Sequence, residues 1–200
     1  MEMRGNPPYA DAAMRPPRFQ VADGIYHVTS RAARSLMLFR NDDDRRSFLY
    51  VLGVAVHRAE WICIDYCLMG THYHLLIETP EPNLSIGMKR LNWLYSRTFN
   101  EAHQTKGHLF ESRFSSEFVQ TPDHLLRAVR YIALNPVEAG LCASPADWRW
   151  GGYRALAGLE EPRPFHYPRR ALTDIDDRVD VARRQLRWSV EGLAPTYAAA

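Results

Sequence analysis

This sequence is poor in cysteine, low in net charge and without long apolar runs, and each shortage removes a class of protein. Three cysteines, Cys63, Cys67 and Cys142, are too few and odd in number for a disulfide scaffold, and they point to a reducing cytoplasm. No stretch approaches the ~20 apolar residues that a membrane span requires. The first twenty residues hold Pro7, Pro8, Pro16 and Pro17 and no apolar segment of the secretory kind, so they do not read as a signal peptide. A formal net charge of +2 does not by itself announce a nucleic-acid binder, so a basic surface has to come from local clustering. Core material is present in ordinary measure: 46% of residues are apolar and 24% charged, which suits one domain with extensions.

The periodicities place the elements. Residues 1–19 read as a flexible arm, with Met14 a plausible alternative start. Residues 24–30 alternate and are rich in β-branched and aromatic side chains, a first strand. Asn41 to Asp44 offer caps and early acidic residues to a helix carrying Phe48, Leu49, Leu52, Val56 and Ala59. Residues 61–68 and 73–78 read as a hairpin turning at Gly70-Thr71. Asn83 can cap a helix from Leu84 to about His103, striped by Leu84, Met88, Leu91, Tyr95 and Phe99. A fourth strand falls within residues 114–119, and Thr121-Pro122 starts a helix that Pro136 is expected to break or kink. Residues 147–153 form an aromatic loop, and a last amphipathic helix is expected near residues 176–190, before alanines that fray. The order β-α-β-β-α-β-α predicts an α+β domain: an antiparallel, ferredoxin-like or RRM-like sheet with helices packed on one face. The divisions are 1–19 as arm, 20–155 as domain and 156–200 as a C-terminal tail with a short helix.

The chemistry is concentrated in two short runs. His72 and His74 lie two apart on a strand, so both imidazoles point the same way and can serve one metal ion. Tyr131 and Asn135 lie four apart on a helix and share its face. Two imidazoles bind weakly alone; the Asn135 amide oxygen is a hard third donor suited to Mg²⁺ or Mn²⁺. A phenol with a pKa of ~10 is a poor nucleophile until activated, and a metal with basic neighbours would favour its phenolate. Taken singly, each signal has an ordinary structural reading: polar residues on a solvated strand, a half-buried tyrosine, a helix end. Together they describe a metal-assisted tyrosine nucleophile for phosphodiester bonds. Arg31, Arg34, Lys89, Arg90, Arg97, Arg113, Arg127 and Arg130, with aromatics interleaved, can track a phosphate backbone. Cys63 and Cys67, four apart on a strand, are expected on one face, as buried thiols rather than a zinc site.

Over roughly residues 14–155 the chain resembles the REP-associated, IS200-like tyrosine transposases of the HUH endonuclease superfamily. The resemblance rests on Gly24-Ile-Tyr-His-Val-Thr-Ser-Arg31, Cys67-Leu-Met-Gly-Thr-His-Tyr-His-Leu-Leu-Ile-Glu-Thr79, Asn83-Leu-Ser-Ile-Gly-Met-Lys-Arg-Leu91 and Tyr95-Ser-Arg-Thr-Phe-Asn100. It continues through Gly107-His-Leu-Phe-Glu-Ser-Arg-Phe114 and Tyr131-Ile-Ala-Leu-Asn-Pro-Val-Glu-Ala-Gly-Leu141. It implies His72 and His74 as metal ligands, Asn135 as the third and Tyr131 as the catalytic tyrosine. The implied substrate is single-stranded or hairpin DNA, cleaved with Mg²⁺ or Mn²⁺ through a 5′-phosphotyrosine, by a cytoplasmic, nucleoid-associated monomer or homodimer. Ala32, where relatives often have glycine, and Thr71, where many have asparagine, depart from the pattern without removing a reacting group. Two other readings stand beside it: a domesticated hairpin-binding protein that does not cut, and a metal-dependent hydrolase of small phosphoesters.

Overall fold

The computed structural model describes residues 18–33 and 36–192; most of the expected arm, Arg34 and the final alanines lie outside the described residues. Four strands, β1 (Gly24–Arg31), β2 (Ile62–Leu68), β3 (His72–Thr79) and β4 (Ser115–Val119), form one antiparallel sheet in the order β2-β3-β1-β4. Helices α1 (Asp42–Ala59), α2 (Leu84–His103) and α3 (Pro122–Glu138) connect or follow them. A 3-10 turn (Pro145–Asp147), the short helices α4 (Tyr153–Leu156) and α5 (Arg169–Leu172), and α6 (Val179–Glu191) complete the described chain.

Alternation along the strands divides the core in two. Tyr26 and Val28 of β1 and Tyr73, Leu75 and Ile77 of β3 pack with α1 and α2. Leu76 of β3 and the half-buried Ile25 of β1 lie on the opposite face, with apolar residues of α3, α5 and α6. The sequence placed helices on one face only; α3 corrects this. Its buried stripe, Leu125, Ala128, Val129 and Ile132, needs a second apolar surface, and the other side of the sheet supplies it. Residues beyond 156 pack there as well, through Ala171, Leu172, Ala182, Leu186 and Val190.

Local chemistry sets the boundaries. Asn41 and Asp44 form a reciprocal capping box at α1, and Asp44 Oδ1 also meets His103 Nε2 at 2.7 Å, tying the start of α1 to the end of α2. Asn83 does not cap α2 as expected. Its side chain accepts from Trp61 Nε1 at 2.6 Å and donates to the Ala59 carbonyl at 3.0 Å, which fastens α2 to the chain entering β2. Thr121 caps α3 as expected, accepting from the His124 N–H at 3.1 Å. Pro136 does not end α3, which runs on to Glu138. Its ring removes the N–H that would bond the Ile132 carbonyl, and burial of the ring offsets part of that loss.

Cys63 and Cys67 lie on opposite faces rather than one. The β2–β3 register slips between Cys63 and Asp65, and one extra residue inverts the faces beyond it. Both thiols are buried and free. The bulge also buries the Asp65 carboxyl completely: Oδ1 accepts the Tyr66 N–H at 2.8 Å, Oδ2 has no partner, and burial raises its pKa well above the carboxylate range.

Candidate active site

The site occupies the α3 face of the two central strands. In the β1–β3 register Thr29 lies opposite His74 and Arg31 opposite His72, so alternate residues His27, Thr29 and Arg31 share a face with the two histidines. Tyr73, between the histidines, points the other way and is fully buried. Its hydroxyl donates to Asn92 Oδ1 at 2.5 Å, and Asn92 Nδ2 donates to Ser30 Oγ at 3.0 Å. This chain of bonds pins β3, β1 and α2 together directly beneath the histidines, so the strand carrying them is fixed in register.

Helix α3 lays Tyr131 over that face. The Tyr131 ring stands edge-on to His74, centroids 5.5 Å apart, and to His27 at 5.6 Å, and it remains 48% exposed. The His72 and His74 rings are 5.0 Å apart. Asn135 sits one turn beyond Tyr131, where its Nδ2 donates to the Tyr131 carbonyl at 2.9 Å. With the nitrogen so engaged, the amide oxygen is the atom left to act as a ligand, and the side chain lies beside His74.

The electrostatics keep the imidazoles neutral. Burial, then the neighbouring His27 and His72, push His74 down to about 3. Burial, and then Arg31, lower His72; burial also lowers His27, against the opposing pull of Glu117. Neutral imidazole is the ligating form. His74 Nδ1 lies near His27 Nε2 and Thr29 Oγ1, whereas its Nε2 is buried with no hydrogen-bond partner. A ring nitrogen buried without a partner, beside an amide oxygen and a second imidazole, fits a divalent cation. Among the described residues no three His, Cys, Asp or Glu side chains form a metal-holding group, so the donor set would be two imidazoles, an amide and whatever the substrate adds.

The basic residues read from the sequence divide spatially. All seven described ones are exposed. Arg31 flanks the histidines at the end of β1, and Arg127 and Arg130 flank Tyr131 on α3. Lys89, Arg97 and Arg113 instead line a groove of about 1480 Å³ between α2 and residues 105–114, shared with the exposed Trp93. Arg90 is on α2 outside the groove, and Arg97 is paired with Glu101 at 2.9 Å. Groove and site meet at the end of β1: Glu111 N–H donates to the Arg31 carbonyl at 3.1 Å, and Ala33 N–H to that of Leu109 at 2.9 Å.

Two features escaped the sequence reading. His27 joins the cluster because of strand register, a non-local fact that its alternation with Tyr26 and Val28 hinted at only by placing it off the core face. The groove depends on where the segment after α2 folds back, and its one local signal is Gly107, at φ +99°.

The sequence profile described as "Transposase IS200 like" matches residues 20–135. A solved REP-associated tyrosine transposase bound to a REP hairpin superposes with a TM-score of 0.62 at 16% identity, covering 76% of this chain and 90% of that one. A tRNA(His) guanylyltransferase from Saccharomyces cerevisiae reaches a TM-score of 0.46 at 9% identity, covering 93% of this chain and 85% of that one, and carries no inference about fold. No curated protein sequence matches significantly. Among the described residues no helix is long and apolar enough to cross a membrane.

Proposed function

The chain belongs to the IS200-like transposase family, and on that premise we propose that it is a single-tyrosine HUH transposase that cleaves and rejoins single-stranded or hairpin DNA. The observation that carries this reading is the placing of the Tyr131 phenol against His74, whose Nε2 is buried and unpartnered.

His72, His74 and the Asn135 amide oxygen would hold a Mg²⁺ or Mn²⁺ ion. When bound, the ion supplies Lewis-acid polarisation of the scissile phosphate. Tyr131, exposed and on a helix braced by the second core, presents its oxygen to the phosphorus. As the Tyr131 Oη–P bond forms, the P–O3′ bond breaks. The phenol proton passes to solvent or a nearby base, and the departing oxygen takes a proton to become a 3′-hydroxyl. The 5′-phosphate stays esterified to Tyr131, so a later 3′-hydroxyl can displace the phenol and restore a phosphodiester without a nucleotide cofactor. Arg31, close enough to lower the pKa of His72 and His74, and Arg127 and Arg130, beside Tyr131 along α3, would supply positive charge for the phosphates on either side.

The groove extends the reading to the substrate. Lys89, Arg97 and Arg113 with Trp93 combine charge and an aromatic platform, the pairing that suits a folded or unpaired nucleic-acid strand. Its join to the site through Arg31 would let one DNA run from the groove to Tyr131. The hairpin bound by the structurally similar REP-associated transposase supports a hairpin ligand for this chain too.

The test incubates wild type and Tyr131→Phe with labelled hairpin oligonucleotides, with and without Mn²⁺. Metal-dependent cleavage in wild type, lost in Tyr131→Phe while hairpin affinity is kept, supports the reading. Hairpin binding without cleavage under any metal would favour the binding-only alternative.

A further inference from the structure

We propose that His27 is a positioning residue for the cation site: it accepts a hydrogen bond from His74 Nδ1–H, fixing the tautomer that leaves His74 Nε2 bare beside Asn135. The inference rests on the cation-site reading above and deepens it.

The geometry has three parts. First, His27 Nε2 lies 3.0 Å from His74 Nδ1, with Thr29 Oγ1 3.2 Å from the same nitrogen. Second, His74 Nε2 has no partner and the residue is only 3% exposed. A neutral imidazole carries one proton. On Nε2 that proton would point at the Asn135 amide oxygen and block both atoms a cation needs, and the bare Nδ1 would have to accept instead. On Nδ1 it satisfies His27 and presents a lone pair at Nε2, the form a cation needs. Third, the His27 ring packs against both other groups, 5.2 Å from His74 and 5.6 Å from Tyr131, which are themselves 5.5 Å apart, so the three rings form a triangle. Strand register puts it there: His27 is two residues from Thr29, the residue opposite His74, on the same face. Partners of this kind, gripping the far nitrogen of a ligating histidine, typically change metal affinity or activity by 10–100-fold when removed.

The test compares wild type, His27→Phe and His27→Gln. Phenylalanine keeps a ring and drops the nearer acceptor, leaving only the longer Thr29 Oγ1 contact at 3.2 Å; glutamine places an amide oxygen near the lost Nε2. Two-bond ¹H–¹⁵N correlations on the metal-free proteins read the His74 tautomer, and Mn²⁺ affinity is read from the EPR signal of free Mn²⁺. Wild type and His27→Gln should show the Nδ1–H tautomer. His27→Phe should lose that preference and bind Mn²⁺ roughly 10–100-fold more weakly. An unchanged tautomer and unchanged affinity in His27→Phe would overturn the proposal and leave the cation site standing. So would a His27→Gln as weak as His27→Phe, since the acceptor has been restored. A wild type that binds no Mn²⁺ would overturn the cation site and this inference together.

Discussion

Replacing His74 by phenylalanine should separate stability from function. The imidazole is almost fully buried and its Nε2 has no partner, and an unmade bond of that kind costs roughly 1–3 kcal/mol. His74→Phe removes that cost and keeps a planar ring against Tyr131 and His72. It also forfeits the contact to His27 and Thr29, about 1 kcal/mol net. The balance is about 0–2 kcal/mol in favour of the variant, so the metal-free melting temperature should hold or rise by up to roughly 8 °C. With Mn²⁺ the proteins should diverge. An ion at 100 times its Kd adds about 2.7 kcal/mol to whatever fold binds it, which at this chain length is roughly 5–10 °C. Wild type should gain that shift and His74→Phe should not, and His74→Phe should not cleave hairpin DNA. Differential scanning fluorimetry with and without Mn²⁺, beside the cleavage assay, gives all three numbers. An equal Mn²⁺ shift in both proteins, or cleavage by His74→Phe, would refute the reasoning.

Three further outcomes follow from other parts of the molecule. A Cβ on Gly152 would stand 2.3 Å from Asp65 Oδ1 and 2.8 Å from His166 Cε1, so Gly152→Ala should cost about 1–3 kcal/mol in a denaturant titration; an unchanged midpoint would contradict the packing at the β2 bulge. Burial lowers His166 from 6.5 to about 4. Its neutral form in the fold contributes fully above pH 6.5, and that contribution declines as the pH falls towards 4, by about 3 kcal/mol in all. His166→Gln should therefore flatten the loss of stability over that window, and an equally steep loss would assign it elsewhere. Arg113→Ala should weaken hairpin binding and reduce the slope of log affinity against log salt by about one; an unchanged slope would remove Arg113 from the phosphate path.

Much of the frame was legible because its signals are local. The stripe from Leu84 to Phe99 and the Thr121-Pro122 start fix two helices by periodicity and capping, and His72, Tyr73 and His74 declare their opposed faces by alternation alone. What the sequence concealed was non-local. The bulge that separates Cys63 from Cys67 is visible only in the pairing of β2 with β3. Asn83 looks like a cap and is drawn instead to Trp61 and Ala59. Pro136 looks like a stop, yet α3 passes through it with the ring buried. The same kind of long-range register brings His27 to His74, which is why a motif of two histidines proves to be a cluster of three.

The central claim is that Tyr131 becomes covalently joined to DNA. The most direct measurement traps the wild-type protein with a hairpin oligonucleotide and Mn²⁺, digests it with protease and nuclease, and maps the residual nucleotide mass by tandem mass spectrometry. The account predicts a phosphodiester-linked nucleotide on the peptide carrying Tyr131, absent when the metal is chelated. A nucleotide adduct on another residue, or cleaved DNA with no adduct at all, would contradict it.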